Sequence, residues 1–159
     1  MMNFKNITGL FLFGVLALSC QQQSKSENTE AEKDLIFEKG ATITNANFIG
    51  TAWLNNLMNA DSINTNSVGS VTFEPGARTN WHSHPTGQII LAIGGEGYYQ
   101  EKDSPKKILH KGDVVKCPPN VPHWHGASRE KAFIQIAITS RQDGPTKWMY
   151  PVTEKEYLE

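Results

Sequence analysis

Four of the five histidines fall into two His-x-His pairs, His82/His84 and His123/His125. Each pair lies in a stretch that reads as extended chain. Residues two apart on a strand point to the same face, so each pair can aim two imidazoles at one place. Gln88 stands four residues past His84, beyond the Pro85-Thr86-Gly87 break, and can bring a carboxamide oxygen to the same space. A divalent cation suits such a set. Imidazole binds zinc, copper, iron or nickel, and an added oxygen donor extends the range toward manganese. The fifth histidine, His110, sits in the turn-like His110-Lys111-Gly112-Asp113 and is expected to be solvated. Other chemistries have little support: no Gly-x-Ser-x-Gly, phosphate-cradling loop or nucleophile–base arrangement occurs. Glu96, Glu101 and Asp103 read as one solvated loop, and Gly94-Gly95-Glu96-Gly97 as a turn between strands, because no helix follows it to cradle a nucleotide.

The elements that must position these groups are short. Apolar stretches run over Phe48–Leu57, Val68–Phe73, Ile89–Ile93, Gly97–Gln100, Ile108-Leu109, Val114-Val115 and Phe133–Thr139. Turn chemistry such as Glu74-Pro75-Gly76 and Pro118-Pro119-Asn120 separates them. No segment sustains helical periodicity, apart from one turn expected between Thr153 and Glu159. The pattern predicts an all-β sandwich or small barrel, whose mouth is a usual ligand site. Trp81 and Trp124 alternate with the histidines and are expected to pack away from the site, while Tyr98, Tyr99 and Gln100 are candidates for a pocket wall. Cys117 reads as a small buried apolar group.

Lys and Arg number 15 against 16 Asp and Glu, a net charge of −1, which provides no footprint for a nucleic-acid backbone. With 159 residues, one folded body is the natural expectation. The apolar run Ile7–Leu18 behind Lys5 is too short to span a bilayer and reads as a signal peptide over residues 1–19. Its end, Leu16-Ala17-Leu18-Ser19-Cys20, resembles the bacterial lipobox, which implies Cys20 as a lipid anchor and a place at the bacterial cell envelope, with Gln21 pointing to the outer membrane. Residues 20–34 contain nothing bulky to bury and read as a flexible tether, leaving residues 35–159 as the body.

Gly76-x5-His82-x-His84-x3-Gln88-x6-Gly95 resembles the first motif of the cupins, and Gly112-x5-Pro118-x-Asn120-x2-His123 resembles the second. The resemblance implies a jelly-roll barrel and a metal held by His82, His84, Gln88 and His123. Gln88 replaces the family's usual Glu, and Asn120 replaces a turn glycine, a position Asn tolerates. The strings FEPGARTNWHSHPTGQ, KGDVVKCPPNVPHWHGA and DGPTKWMYPVTEKEY are similar to a branch of small bacterial cupins that includes manganese-dependent hydroxynitrile lyases, where a glutamine is a metal ligand. The resemblance implies manganese as first choice, with iron, zinc, nickel or copper as alternatives, and a homodimer. Those lyases move a proton with a histidine where this chain has Gln135, which has no titratable group near neutrality; Thr139 stands where they have a glutamine. His125 is the remaining candidate for proton work, if the strand keeps it on the face of His123; the alternative is a place at the rim, bonded to a backbone carbonyl.

Three neutral imidazoles and a neutral amide would leave a divalent ion its full +2 charge, which favours Lewis-acid work. The expected function is a metal-dependent lyase acting on a small hydroxyl- or carbonyl-bearing molecule. Oxidation by dioxygen and non-catalytic binding of a metabolite or metal at the envelope are the alternatives.

Overall fold

A computed structural model describes residues 35–159. The expected signal peptide, Cys20 anchor and tether lie outside the described residues. Ile36–Glu159 fold as one unit. The strands are β1 (Ala41–Thr42), β2 (Phe48–Ile49), β3 (Ala52–Met58), β4 (Asn66–Phe73), β5 (Arg78–Thr79), β6 (His82–Ser83), β7 (Gln88–Glu101), β8 (Lys107–His110), β9 (Val114–Cys117), β10 (His123–Ala127), β11 (Phe133–Ser140) and β12 (Lys147–Trp148), followed by helix α1 (Glu154–Leu158). All the pairings are antiparallel, in the order β1-β3-β4-β11-β7-β10-β5-β2; β8 and β9 also pair with β7, while β6 bridges β10 and β12. This is the jelly-roll barrel expected.

β7 joins the two halves of the roll. Its first half pairs with β11 and β9, and its second half with β10 and β8. Two strands separated by a Gly94-Gly95 turn were expected; the chain instead bends there without stopping. The register against β11 slips at Ile134/Gln135, which marks a bulge, and Gly95 takes a φ of +70°. A Cβ at Gly95 would lie 1.8 Å from the Ala132 carbonyl oxygen, so only glycine lets the two strands approach. Glu96 and Glu101 consequently sit within β7, with Asp103 alone in the turn beyond.

Alternation along the strands decides which side chains face inward. In β7, Gln88, Ile90 and Ala92 are buried while Ile89 faces out. One core gathers Phe73, Ile90, Tyr99 and Phe133 inside the roll. A second packs Trp81, Trp124, Val152 and Tyr157 outside it, beneath α1. The helix begins with a capping box in which the Thr153 side chain accepts from Glu156 N–H and the Glu156 carboxylate accepts from Thr153 N–H. Trp81 and Trp124 thus pack away from the histidines, as their alternation predicts. Tyr98 and Gln100 do not form a pocket wall: Tyr98 joins the outer core, and Gln100 accepts the Trp124 indole N–H at 2.9 Å. Tyr99 belongs to the inner core.

Gly95→Ala is expected to lower the melting temperature by roughly 10 °C or more, the consequence of about 3 kcal/mol of lost stability. Gly112→Ala, where a Cβ meets nothing within 4 Å, serves as a control limited to backbone strain. Equal losses in the two variants, measured by thermal unfolding, would contradict the role given to the β7 bend.

Candidate metal centre

Strand register brings the two histidine pairs together. His123 of β10 lies directly opposite His82 of β6, with ring centroids 4.4 Å apart. β10 is regular, so His125 keeps the face of His123, and their rings lie parallel within 23° at 6.2 Å. His125 is buried, not at the rim. Ring nitrogens of His82, His123 and His125 come within 4.8 Å of one another, and this trio can hold a divalent cation. His84 follows the end of β6; its ring centroid is 5.1 Å from that of His82 and 5.5 Å from that of His123. The rings of His82, His84 and His123 thus lie within 5.5 Å of one another by centroid, while the trio whose nitrogens lie within 4.8 Å of one another contains His125 and not His84.

The hydrogen bonds around the rings determine their tautomers. A carbonyl oxygen only accepts, so His82 Nδ1 must carry the proton it donates to Asn80 O at 2.9 Å, and His123 Nδ1 the one it donates to Val121 O at 2.9 Å. Both rings are left with a bare lone pair on Nε2. His84 Nδ1 is 3.2 Å from Thr146 Oγ1. Gln88 faces Thr139 across β7 and β11 and donates its amide N–H to the Thr139 hydroxyl at 2.9 Å, which turns Oε1 the other way. His84 Nε2, His123 Nε2 and Gln88 Oε1 are buried without a protein partner. Each such atom costs about 1–3 kcal/mol if left unsatisfied, a large fraction of a domain's stability. The Nε2 lone pairs of His82 and His123, with the Gln88 oxygen, match the needs of a cation, so this donor set fits a metal.

Burial keeps the rings neutral. Desolvation lowers the pKa of all four histidines, and mutual repulsion between prospective imidazolium charges adds to it at His82, His84 and His125. His84 is pushed down to about 3, first by burial and then by His123 and Arg141. His110 is exposed and far from this chemistry, with its Nδ1 3.8 Å from Glu96. Cys117 is buried and unpaired, and desolvation pushes its thiol up to about 12, which suits a packing role. Asn120 holds a φ of +59°, the left-handed conformation foreseen for a glycine substitute.

A pocket of about 910 Å³ opens beside the histidines. Its walls include His82, His84, His125, Gln88, Gln135 and Trp148. Gln135 is fully buried in β11, opposite Val71 and Ala92, and neither end of its carboxamide has a protein partner. Sequence reasoning missed the contributions from the end of the chain. Trp148 pairs with His82 across β12 and β6 and places its ring 4.8 Å away, while Thr146 and Arg141 line the same pocket. Thr146 and Trp148 lie within the Asp143–Tyr157 string that carries the resemblance and Arg141 two residues before it, the one signal that could have drawn attention to them. Thr139 was noted as a departure, but its grip on Gln88 needed the strand register to be seen.

Residues 69–138 match the family model described as the cupin domain. The chain is 41% identical to an (R)-mandelonitrile lyase from Granulicella tundricola over 111 residues, 69% of this chain and 85% of the relative. It is also 27% identical over 66 residues to an acireductone dioxygenase from Alcanivorax borkumensis, 40% of this chain and 36% of that protein. The crystal structure of a cupin-like protein from Thermotoga maritima superposes with a TM-score of 0.76 at 46% identity, covering 78% of this chain and 95% of that one. Two histidine pairs meeting across β6 and β10 inside a jelly roll, together with these matches, show that the chain belongs to the cupin family and lies near its (R)-mandelonitrile lyase.

Proposed function

We propose that the protein is a metal-dependent lyase that breaks or forms a carbon–carbon bond at a small hydroxyl- or carbonyl-bearing carbon, with a hydroxynitrile as the first substrate to test. The observation that carries this reading is that His84 Nε2, His123 Nε2 and Gln88 Oε1 are buried without a partner among the described residues, beside a pocket. The identity to the Granulicella lyase supports the reaction class. His82, His84, His123 and Gln88 are the residues we assign to the cation, with manganese first among the divalent candidates. Held by neutral ligands, such an ion would supply Lewis acidity toward negative charge developing on a substrate oxygen.

The chain's own residues supply the rest. His125, neutral because it is buried, accepts the proton of the substrate hydroxyl as the bond to the nitrile carbon opens. The bonding pair leaves with cyanide, the carbonyl forms, and the proton returns from His125 to cyanide. Gln135 cannot exchange a proton, but its carboxamide N–H and C=O can orient a nitrile or carbonyl in the pocket. Phe48 and Trp148 give the pocket an apolar wall. Thr139 keeps the Gln88 oxygen inward, and the Asn80 and Val121 carbonyls keep two imidazoles in the tautomer a cation requires.

His82→Ala and His123→Ala are each expected to reduce bound manganese, measured by mass spectrometry after dialysis, to below about a tenth of wild type. His84→Ala should weaken binding by roughly 10-fold or more, whereas His125→Ala should retain the metal and lose cleavage. The reverse order for His84 and His125 would transfer the ligand role to the tighter trio. Manganese-loaded protein should cleave mandelonitrile slowly, and Gln135→His should raise kcat/KM by roughly 100-fold by adding a proton carrier. No cleavage by either protein would contradict the proposed reaction.

The buried histidines also set a pH dependence. Their folded pKa values lie below the unfolded value of about 6.5, so the unfolded chain takes up protons first as the pH falls. Metal-free protein should hold its stability above pH ~6.5 and lose it as the pH drops below, each histidine contributing at most about 1.4 kcal/mol per pH unit. Denaturant melts with no loss until the carboxylate range near pH 4 would contradict the buried, neutral cluster.

A further inference from the structure

The pocket beside the histidines contains a charge that the lyase reading does not use. Among the described residues lining it there is no aspartate, glutamate or lysine, and the one charged side chain is that of Arg141. Arg141 is exposed, yet it is positioned from several sides. Its backbone N–H donates to Thr65 O at 2.7 Å, and its own carbonyl accepts from Gly144 N–H at 3.3 Å. The guanidinium donates through Nε to Ser67 Oγ at 3.1 Å and through Nη1 to Thr146 Oγ1 at 3.0 Å. Both partners are neutral hydroxyls, and neither is the carboxylate that a guanidinium would ordinarily meet in forked geometry. Among the described residues, Nη2 has no hydrogen-bond acceptor. Thr146 Oγ1 lies 3.2 Å from His84 Nδ1, so the cation is one hydroxyl away from the histidine cluster.

A second feature points the same way. Gln135 is fully buried, lines the same pocket, and leaves both its amide N–H and its amide oxygen without a protein partner. Buried carboxamides are rarely left unmet, because each lost bond costs stability that a domain can ill spare. The pocket thus offers a positively charged fork at its mouth, a neutral donor and acceptor within, and no negative charge to repel an anion.

We propose that the substrate carries a carboxylate, which Arg141 binds through its free Nη2 side, in addition to the hydroxyl or carbonyl that faces the histidines. The substrate class is a small hydroxy- or oxo-carboxylate. Arg141 is a specificity-determining residue: it selects by charge and orients the reacting carbon toward the cluster, while Gln135 holds a neutral polar group of the same molecule. The carboxylate site belongs to the same pocket as the proposed lyase reaction and refines it, but it does not depend on a metal being present.

Mandelate and mandelamide make a matched pair of probes, with the same ring and hydroxyl and a charge that differs. Isothermal titration of the full chain, with and without manganese, against both probes should show mandelate bound about 10-fold or more tightly than mandelamide. In Arg141→Gln the ratio should fall to about 1, and in Arg141→Lys part of the preference should return. Circular dichroism, read on the same samples, should match wild type, because the exposed Arg141 guanidinium bonds two hydroxyls only. A preference for mandelate that persists in Arg141→Gln, equal binding of the two probes by wild type, or no binding of mandelate at millimolar concentration would each overturn the proposal. An Arg141-dependent preference in protein that neither binds manganese nor cleaves hydroxynitriles would uphold the carboxylate site and remove the lyase reading. Cleavage of mandelonitrile without any charge preference would do the opposite.

Discussion

The structure depends on one costly arrangement, four neutral imidazoles buried together beside a pocket that two buried carboxamides also line. Burial lowers the pKa of each ring, so at neutral pH each rests uncharged and none meets its neighbours' lone pairs as an imidazolium. The carbonyls of Asn80 and Val121 take the Nδ1 protons of His82 and His123, which commits the opposite nitrogens to acting as acceptors. Unmet, such lone pairs are costly, and an electron-pair acceptor among the rings would satisfy them. That is the physical basis for assigning a cation to this place.

The remaining fold serves that arrangement. The uninterrupted β7 places Gln88 at its start against Thr139, and Tyr99 further along against His125, so one strand contributes to both halves of the roll. The bend at Gly95 allows this without a break, and the close contact of Gly97 with the Phe133 ring seals the core behind it. On the outer side, Trp81 and Trp124 anchor the strands that carry the histidines. Their alternation with His82 and His125 is what separates packing from chemistry. Arg78 ties this layer to the C-terminal segment, through Glu154 Oε1 at 2.6 Å and the face of Tyr157.

Much of this was legible in the amino-acid order. Alternation in strands places His123 and His125 on one face and Trp124 on the other, and family spacing singled out His82, His84, Gln88 and His123 as candidate ligands. Asn120 could be recognised as a left-handed turn residue from its chemistry alone. What was hidden depended on pairings between distant segments. Gly94-Gly95 reads locally as a turn, because the bulge that absorbs the glycines is specified by β11, some forty residues away. The wall formed by Thr146, Trp148 and Arg141 is equally nonlocal: nothing in the sequence around Pro145 announces that it folds back over His82 and His84. Tyr98 and Gln100 were misplaced because a bend reverses which core their faces meet.

Function follows from the same economy of charge. In the proposed reaction neutral ligands would leave a bound ion electrophilic, the described residues lining the pocket add no negative side chain, and Gln135 could orient a substrate but not exchange a proton. The central claim, that His82, His84, His123 and Gln88 hold one ion, is tested most directly by X-ray diffraction from manganese-loaded crystals with data collected on both sides of the manganese absorption edge. The account predicts a single anomalous peak within bonding distance, roughly 2.0–2.4 Å, of the three Nε2 atoms and Gln88 Oε1. A peak on the protein surface, or none in the presence of saturating manganese, would contradict it.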